Sequence, residues 1–148
     1  VSKVRSRVDG KIYVLKKVKC GHLPVARQRE ALMEVLLLRR LNHPNVVAYY
    51  TSFVERKSLH ILMEYASNGD LQGVLDRHKR GKTYVPESEV WRLLHELALA
   101  LQHLHRKSII HRDVKMVNVF LDADSHVKLG DLGVSRVLDK EDEMAQSR

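Results

Sequence analysis

Apolar and polar positions in residues 1–19 alternate loosely, with Val1, Val4, Ile12, Val14 and Val18 disposed around Asp9-Gly10. That dipeptide favours a tight hairpin turn, so the spacing predicts two antiparallel strands. From Val25 to Leu41 the period lengthens: Ala31, Val35, Leu38 and Leu41 recur on one face of a helix, which Asn42-His43-Pro44-Asn45 ends. Two further strand-like runs, Val46 to Val54 and Leu59 to Tyr65, flank the polar turn Glu55-Arg56-Lys57-Ser58. Ser67-Asn68-Gly69 breaks the pattern and places a boundary near Ala66. Beyond it, Asp70 is suited to cap a short helix reaching about Arg80. Pro86, Glu87 and Glu89 open a longer helix to about Lys107, with Val90, Leu94, Leu97, Leu101 and Leu104 as its apolar stripe. Short β-prone runs, Val119 to Leu121 and Val127 to Leu129, enclose the turn Asp122-Ala123-Asp124-Ser125. The expected architecture is α+β, an antiparallel sheet with one helix followed by a mainly helical part, without internal repeats or low-complexity segments.

Composition narrows the class. The 148 residues are 44% hydrophobic and 30% charged, which predicts a packed core and room for one domain or two small lobes sharing a cleft. A formal net charge of +8 suits acidic partners such as phosphates, nucleic acid or anionic membranes. The basic residues come in ones and twos (Lys16 and Lys17, Arg39 and Arg40, Lys79 and Arg80) between apolar positions, the pattern of a solvated surface rather than a nucleic-acid patch. A single cysteine, Cys20, precludes a disulfide within the chain and points to a reducing compartment. No apolar stretch is long enough to span a bilayer; Ala31 to Leu41 is broken by Glu34, Arg39 and Arg40. Val1-Ser2-Lys3-Val4-Arg5 lacks a signal-peptide pattern and reads like mid-strand, so a truncated chain is the expectation.

The densest chemistry lies in His111-Arg112-Asp113-Val114-Lys115-Met116-Val117-Asn118, with Asp131-Leu132-Gly133 following 18 residues after Asp113 (131 − 113 = 18). Phosphoryl transfer needs a group to orient the attacking hydroxyl, a cation to offset charge on the moving phosphoryl, and oxygen ligands for magnesium. Taken singly, Asp113, Asn118 and Asp131 are ordinary turn residues. In this order and spacing they resemble the catalytic loop and metal-binding motif of protein kinases. The resemblance implies a bilobal kinase-like fold, with ATP and Mg2+ as cofactors. It gives Asp113 the substrate hydroxyl, Lys115 the γ-phosphate, Asn118 one magnesium and Asp131 the magnesium that bridges the phosphates. Lysine two residues after the aspartate is the serine/threonine pattern, so the expected substrates are Ser/Thr hydroxyls of proteins.

Upstream, Tyr13-Val14-Leu15-Lys16 is similar to the Val-Ala-Ile-Lys strand of kinases. Glu34, between Met33 and Val35 on an apolar helix, would be costly to bury without a cation. Lys16, 18 positions earlier (34 − 16 = 18), is the partner that the family pattern supplies. By the same resemblance Leu38, Tyr49, His111 and Leu132 form a stack through both lobes, Leu132 replacing the usual Phe. Met63-Glu64-Tyr65-Ala66 is the connector for the adenine ring, with Met63 as gatekeeper and the Glu64 carbonyl and Ala66 N–H as hydrogen-bonding partners. Val1 and Val14 are expected to cover one face of the ring and Phe120 the other, with Asp70 near the ribose.

His43-Pro44-Asn45-Val46-Val47 leading to Tyr49-Tyr50, Met63-Glu64-Tyr65 with Gly69-Asp70-Leu71, Asn118-Val119-Phe120-Leu121 and Val127-Lys128-Leu129-Gly130-Asp131-Leu132-Gly133 together resemble the NIMA-related serine/threonine kinases, from Val1 to about Leu138. Met116 departs from the usual Pro and bears on loop rigidity, not on a reacting group. The implied division is residues 1–66 as the N-lobe through the hinge and 67–148 as a partial C-lobe ending in the activation segment. Val1 aligns with the last residue of Gly-x-Gly-x-x-Gly-x-Val, which puts the glycine-rich loop upstream and makes a fragment inactive alone the expectation. A pseudokinase or scaffold that binds nucleotide without turnover is the alternative, although all six of Lys16, Glu34, Asp113, Lys115, Asn118 and Asp131 are present. No nucleic-acid partner is expected, since aromatics are only 5% and lie mostly in apolar runs. Asp122-Ala123-Asp124 lacks the Gly and Glu of a calcium loop, and His103 with His105 has the wrong helical spacing for a zinc pair. The expected address is intracellular, cytoplasmic or cytoskeleton-associated; oligomeric state is left open.

Overall fold

A computed structural model describes residues 1–21, 24–133 and 135–137; the expected activation segment beyond 137 lies outside them. β1 (Ser2–Arg5), β2 (Ile12–Lys19), β3 (Tyr49–Glu55) and β4 (Ser58–Glu64) form one antiparallel sheet in the order β1-β2-β4-β3. The β1–β2 connection is longer than the tight turn its sequence predicts. Gly10 does adopt φ +70°, but the loop spans 6–11 and is closed by Ser6 N–H on Lys11 O and Gly10 N–H on Ser6 O. Side chains hold it open at that length: Asp9 accepts from Lys11 N–H and from the Tyr13 hydroxyl.

α1 (Val25–Arg40) packs beside the sheet with the predicted face inward, Ala31, Val35 and Leu38 all buried, and Leu41 buried at its cap. Leu37 and Glu34 are buried with them, while Leu32, Met33 and Leu36 are exposed. Each large apolar side chain removed from water contributes about 1.5–3 kcal/mol, which adds to the high helix propensity of a segment made almost wholly of Ala, Leu, Arg, Gln, Glu and Met.

The run predicted as strand from Val46 to Val54 divides. Residues 49–55 pair with β4, but 46–47 turn to a different partner: Val46 bridges Leu129 in parallel, Val47 N–H donates to Leu129 O, and Leu129 N–H to Asn45 O. Apolar β-prone residues satisfy either ladder equally well, so periodicity alone does not distinguish them.

α2 (Leu71–Arg80) starts where Asp70 accepts from Gly73 N–H at 2.7 Å, as the cap pattern predicts. α3 (Glu87–His105) follows Pro86. Its buried positions are Leu93, Ala100 and Leu104, whereas Val90 and Leu94 are half exposed. The predicted stripe holds in its second half, where Leu97 and Leu101 pack against the core and Leu104 is buried; nearer its start, contact with β7 (Val127–Leu129) selects Leu93 and the carboxylate of Glu96 instead. β6 (Val119–Leu121) and β7 form the predicted hairpin, and β5 (Ile109–Ile110) pairs with β8 (Arg136–Val137). One core joins both parts, from Leu37, Leu38 and Ile61 to Leu104, Ile109, Leu129 and Leu132. The chain is thus α+β, a sheet with one helix followed by a mainly helical part, with strap 45–48 stitched between them.

Candidate active site

β2 carries Lys16 toward α1, where Glu34 is 5% exposed. The ammonium lies 2.7 Å from Glu34 Oε1 and 3.0 Å from Oε2, so the buried carboxylate has the cation its position requires. On its other side Lys16 Nζ is 3.5 Å from Asp131 Oδ1. Asp131 follows β7 with φ 56°, a left-handed conformation that aspartate tolerates better than most residues and that turns its half-exposed carboxylate toward the lysine. A Cβ added at Gly133 would stand 3.3 Å from Asp131 Oδ1 and 3.8 Å from Lys16 Nζ, so glycine leaves room for this three-membered charge cluster.

The loop 111–118 supplies the second half. His111, 1% exposed, is fixed by Gly130 O at 2.9 Å from its Nε2, and Arg112 takes φ 68°. Asp113 Oδ2 is 2.8 Å from Lys115 Nζ and accepts from Asn118 Nδ2 at 3.0 Å. The Lys115 ammonium, helped by the Asn118 amide, holds the Asp113 carboxyl below its usual range. Asp113 is therefore an ionised acceptor at neutral pH. Asn118 also donates to Asp113 O at 2.8 Å; with its NH2 group committed, the amide presents oxygen on its other side.

Between these halves opens a cavity of about 470 Å3. Val1, Val14, Lys16, Glu34, Met63, Glu64, Ala66, Asp70, Asn118, Phe120 and Asp131 all line it, which brings together every predicted nucleotide and metal position. Asp113 and Lys115 stand outside the lining and join it through Asn118. Asp70 serves two places, since its carboxylate also caps α2. Of the stack Leu38, Tyr49, His111 and Leu132, all but the half-buried Tyr49 are buried.

Sequence reasoning missed Val47, Ser67, Gly69 and Gly130 in the lining. Val47 falls within the strand-like run from Val46 to Val54, and its place at the cavity depends on the strap. Gly130 is buried, and a Cβ there would meet Phe120 at 2.9 Å and Val47 at 3.0 Å. The only signal for it was its position directly before Asp131.

Among the described residues no group of three or more His, Cys, Asp or Glu is disposed to hold a metal. Magnesium, however, is held by one or two protein oxygens together with phosphates and water. Asn118 and Asp131, both lining the cavity, fit that donor set.

A sheet and a helical part meeting at a cavity, with a lysine–glutamate pair above and acidic loops below, make up a fold of the protein-kinase class. The family described as protein kinase domain matches residues 1–148, and the chain belongs to it. Among curated proteins the chain is similar to serine/threonine-protein kinase Nek2 of Mus musculus and of Homo sapiens, each 40% identical over 152 residues covering 98% of this chain and 34% of the relative. It is also similar to Nek4 of Mus musculus, 40% identical over 148 residues, with 99% of this chain and 18% of the relative covered. The likeness to NIMA-related kinases expected from the motifs is thereby found across the chain, which spans about a third of the Nek2 proteins' length.

Proposed function

We propose that the protein containing this chain is a serine/threonine protein kinase that transfers the γ-phosphate of ATP to hydroxyls of protein substrates, with magnesium. The observation that carries the reading is the pairing of Lys16 with both buried Glu34 and Asp131 at the wall of one cavity. In this reading Lys16, oriented by Glu34, holds the nucleotide phosphates. Magnesium, when bound at Asn118 and Asp131, offsets phosphate charge. Asp113 accepts the proton of the attacking hydroxyl, for which its ionised state is suited. Lys115, beside it, neutralises charge as the phosphoryl moves. Segment 63–66 offers backbone N–H and C=O groups to the adenine, between Val1 and Val14 on one face and Phe120 on the other, with Asp70 by the ribose. Residues 1–66 are the N-lobe through the hinge and 67–148 part of the C-lobe. We also propose an intracellular address for the protein, cytoplasmic or cytoskeleton-associated, which imaging of the full-length protein tests.

The decisive assay is phosphate incorporation by the full-length protein into a casein-like substrate, with Asp113→Asn alongside. Asp113→Asn is expected to lower kcat by about 10²–10⁴-fold, the contribution of a positioned base. Phosphate should appear on Ser or Thr and not on Tyr. Equal incorporation by both proteins would remove Asp113 from its role.

A further inference from the structure

Glu64 lines the cavity, yet its carboxylate is engaged away from it. Oε2 accepts from Ala48 N–H at 3.0 Å and Oε1 lies 2.8 Å from Lys128 Nζ. The two side chains are 20% and 14% exposed, so the pair is largely withdrawn from solvent. Asp122 Oδ2, at 4.0 Å, faces the ammonium more distantly. Lys128 sits directly across the hairpin from Phe120, which puts both side chains on the same face of β6–β7, Phe120 at the cavity and Lys128 reaching to the end of β4.

The main chain around the pair joins the same elements. Glu64 N–H donates to Ala48 O at 2.9 Å and Val47 N–H to Leu129 O at 2.9 Å. Asn45, buried, donates from Nδ2 to Val127 O at 3.1 Å. Strap 45–48 is thus bonded to β7 along one edge and to the end of β4 along the other, and Lys128–Glu64 closes the third side of the triangle. β7 runs directly into Gly130-Asp131, and β4 into Tyr65-Ala66.

We propose that Lys128 is a positioning residue for the nucleotide: through Glu64 it sets where segment 64–66 stands relative to Phe120 and Asp131, and so governs nucleotide affinity without touching the nucleotide. The inference rests on the function proposed above. A lysine at 128 is suited to this because its long stem crosses the gap between the hairpin and β4, and its charge holds the carboxylate that also fixes Ala48. Loss of the charge frees the hinge end of β4 while leaving Lys16, Asp113, Asn118 and Asp131 in place. The consequence falls on binding and not on transfer.

The test uses the full-length protein, measuring KM for ATP, kcat, affinity for a fluorescent ADP analogue and thermal unfolding. Lys128→Met should raise KM and the analogue Kd about 5- to 30-fold, with kcat at saturating ATP within about twofold of wild type. Lys128→Arg should restore most of the affinity. Glu64→Gln, which keeps an acceptor for Ala48 but offers Lys128 no charge, should weaken binding similarly and provides the reading if Lys128→Met does not fold. The double variant should be no worse than either single one, as expected for two ends of one interaction. A lowered melting temperature with unchanged KM and Kd would overturn the proposal, as would a fall in kcat alone or additive losses in the double variant. Wild-type protein that binds no nucleotide would remove the proposed function itself, whereas active wild type with an insensitive Lys128→Met removes this inference only.

Discussion

Glu34 ties the stability of the site to its chemistry, because a carboxylate 5% exposed must keep its cation. Breaking a buried pair by deleting one partner costs about 3–5 kcal/mol; with the Lys16 side chain 24% exposed, Lys16→Met should cost nearer 2 kcal/mol in the unfolding free energy. Lys16→Met with Glu34→Leu should recover most of that stability, since an apolar pair of similar volume removes the stranded charge. Transfer activity should not recover. Thermal unfolding and an activity assay on the same samples check both halves, and a double variant no more stable than Lys16→Met would contradict the account. At Gly130 the constraint is space: Gly130→Ala should destabilise by about 1–3 kcal/mol through contact with Phe120 and Val47, and weaken nucleotide binding as Phe120 is pushed into the cavity. Unchanged melting and unchanged ADP-analogue affinity would show that the ring yields freely. Glu34 was legible in the sequence because a charge inside an apolar helix asks for a partner. Gly130 was not, because closeness of approach between three segments leaves no local pattern.

Among the elements, α3 and the β6–β7 hairpin are joined by charge as well as by apolar packing. Glu96 accepts from Val127 N–H at 2.7 Å and lies 2.8 Å from both His126 Nδ1 and an Arg92 nitrogen. Arg92 also bonds Glu89 and donates to Ser125 O. The Glu96 carboxylate raises the His126 pKa above its ordinary value of 6.5, with Asp122 assisting and Arg92 opposing. A raised folded-state pKa gives stability that is full below the unfolded value and is lost as pH rises through the folded one. His126→Gln should therefore lower the melting temperature more at about pH 5.5 than at about pH 8; an equal loss at both would show that the histidine is uncharged in the fold. The start of α2 and the β6–β7 hairpin were readable because Asp70 and Asp122 act locally, Asp70 accepting from Gly73 N–H and Asp122 from Asp124 and His126 N–H. The first turns of α3's buried face and the fate of 46–47 were not. Both depend on β7, a strand far off in sequence, whose partners no local period records.

The whole molecule places a lysine from the first sheet and oxygen-bearing side chains from the loops after β5 and β7 around one cavity, with the hinge held by strap 45–48. The formal net charge of +8 over the chain suits a polyanionic nucleotide, though charge alone named no partner. The order and spacing of the motifs made the site legible before the fold through their resemblance to those of protein kinases, the family to which the chain belongs. What the sequence could not disclose is the tie between halves, made by Asn45, Ala48, Glu64 and Lys128. The central claim is that Asp131 and Asn118 bring magnesium to a nucleotide held by Lys16, and its most direct test is the affinity of the full-length protein for ATP with and without magnesium, beside Asp131→Asn. The account predicts that removing magnesium weakens ATP binding by the wild-type protein on the order of tenfold and leaves Asp131→Asn nearly unaffected. An equal magnesium response in the two proteins would contradict it.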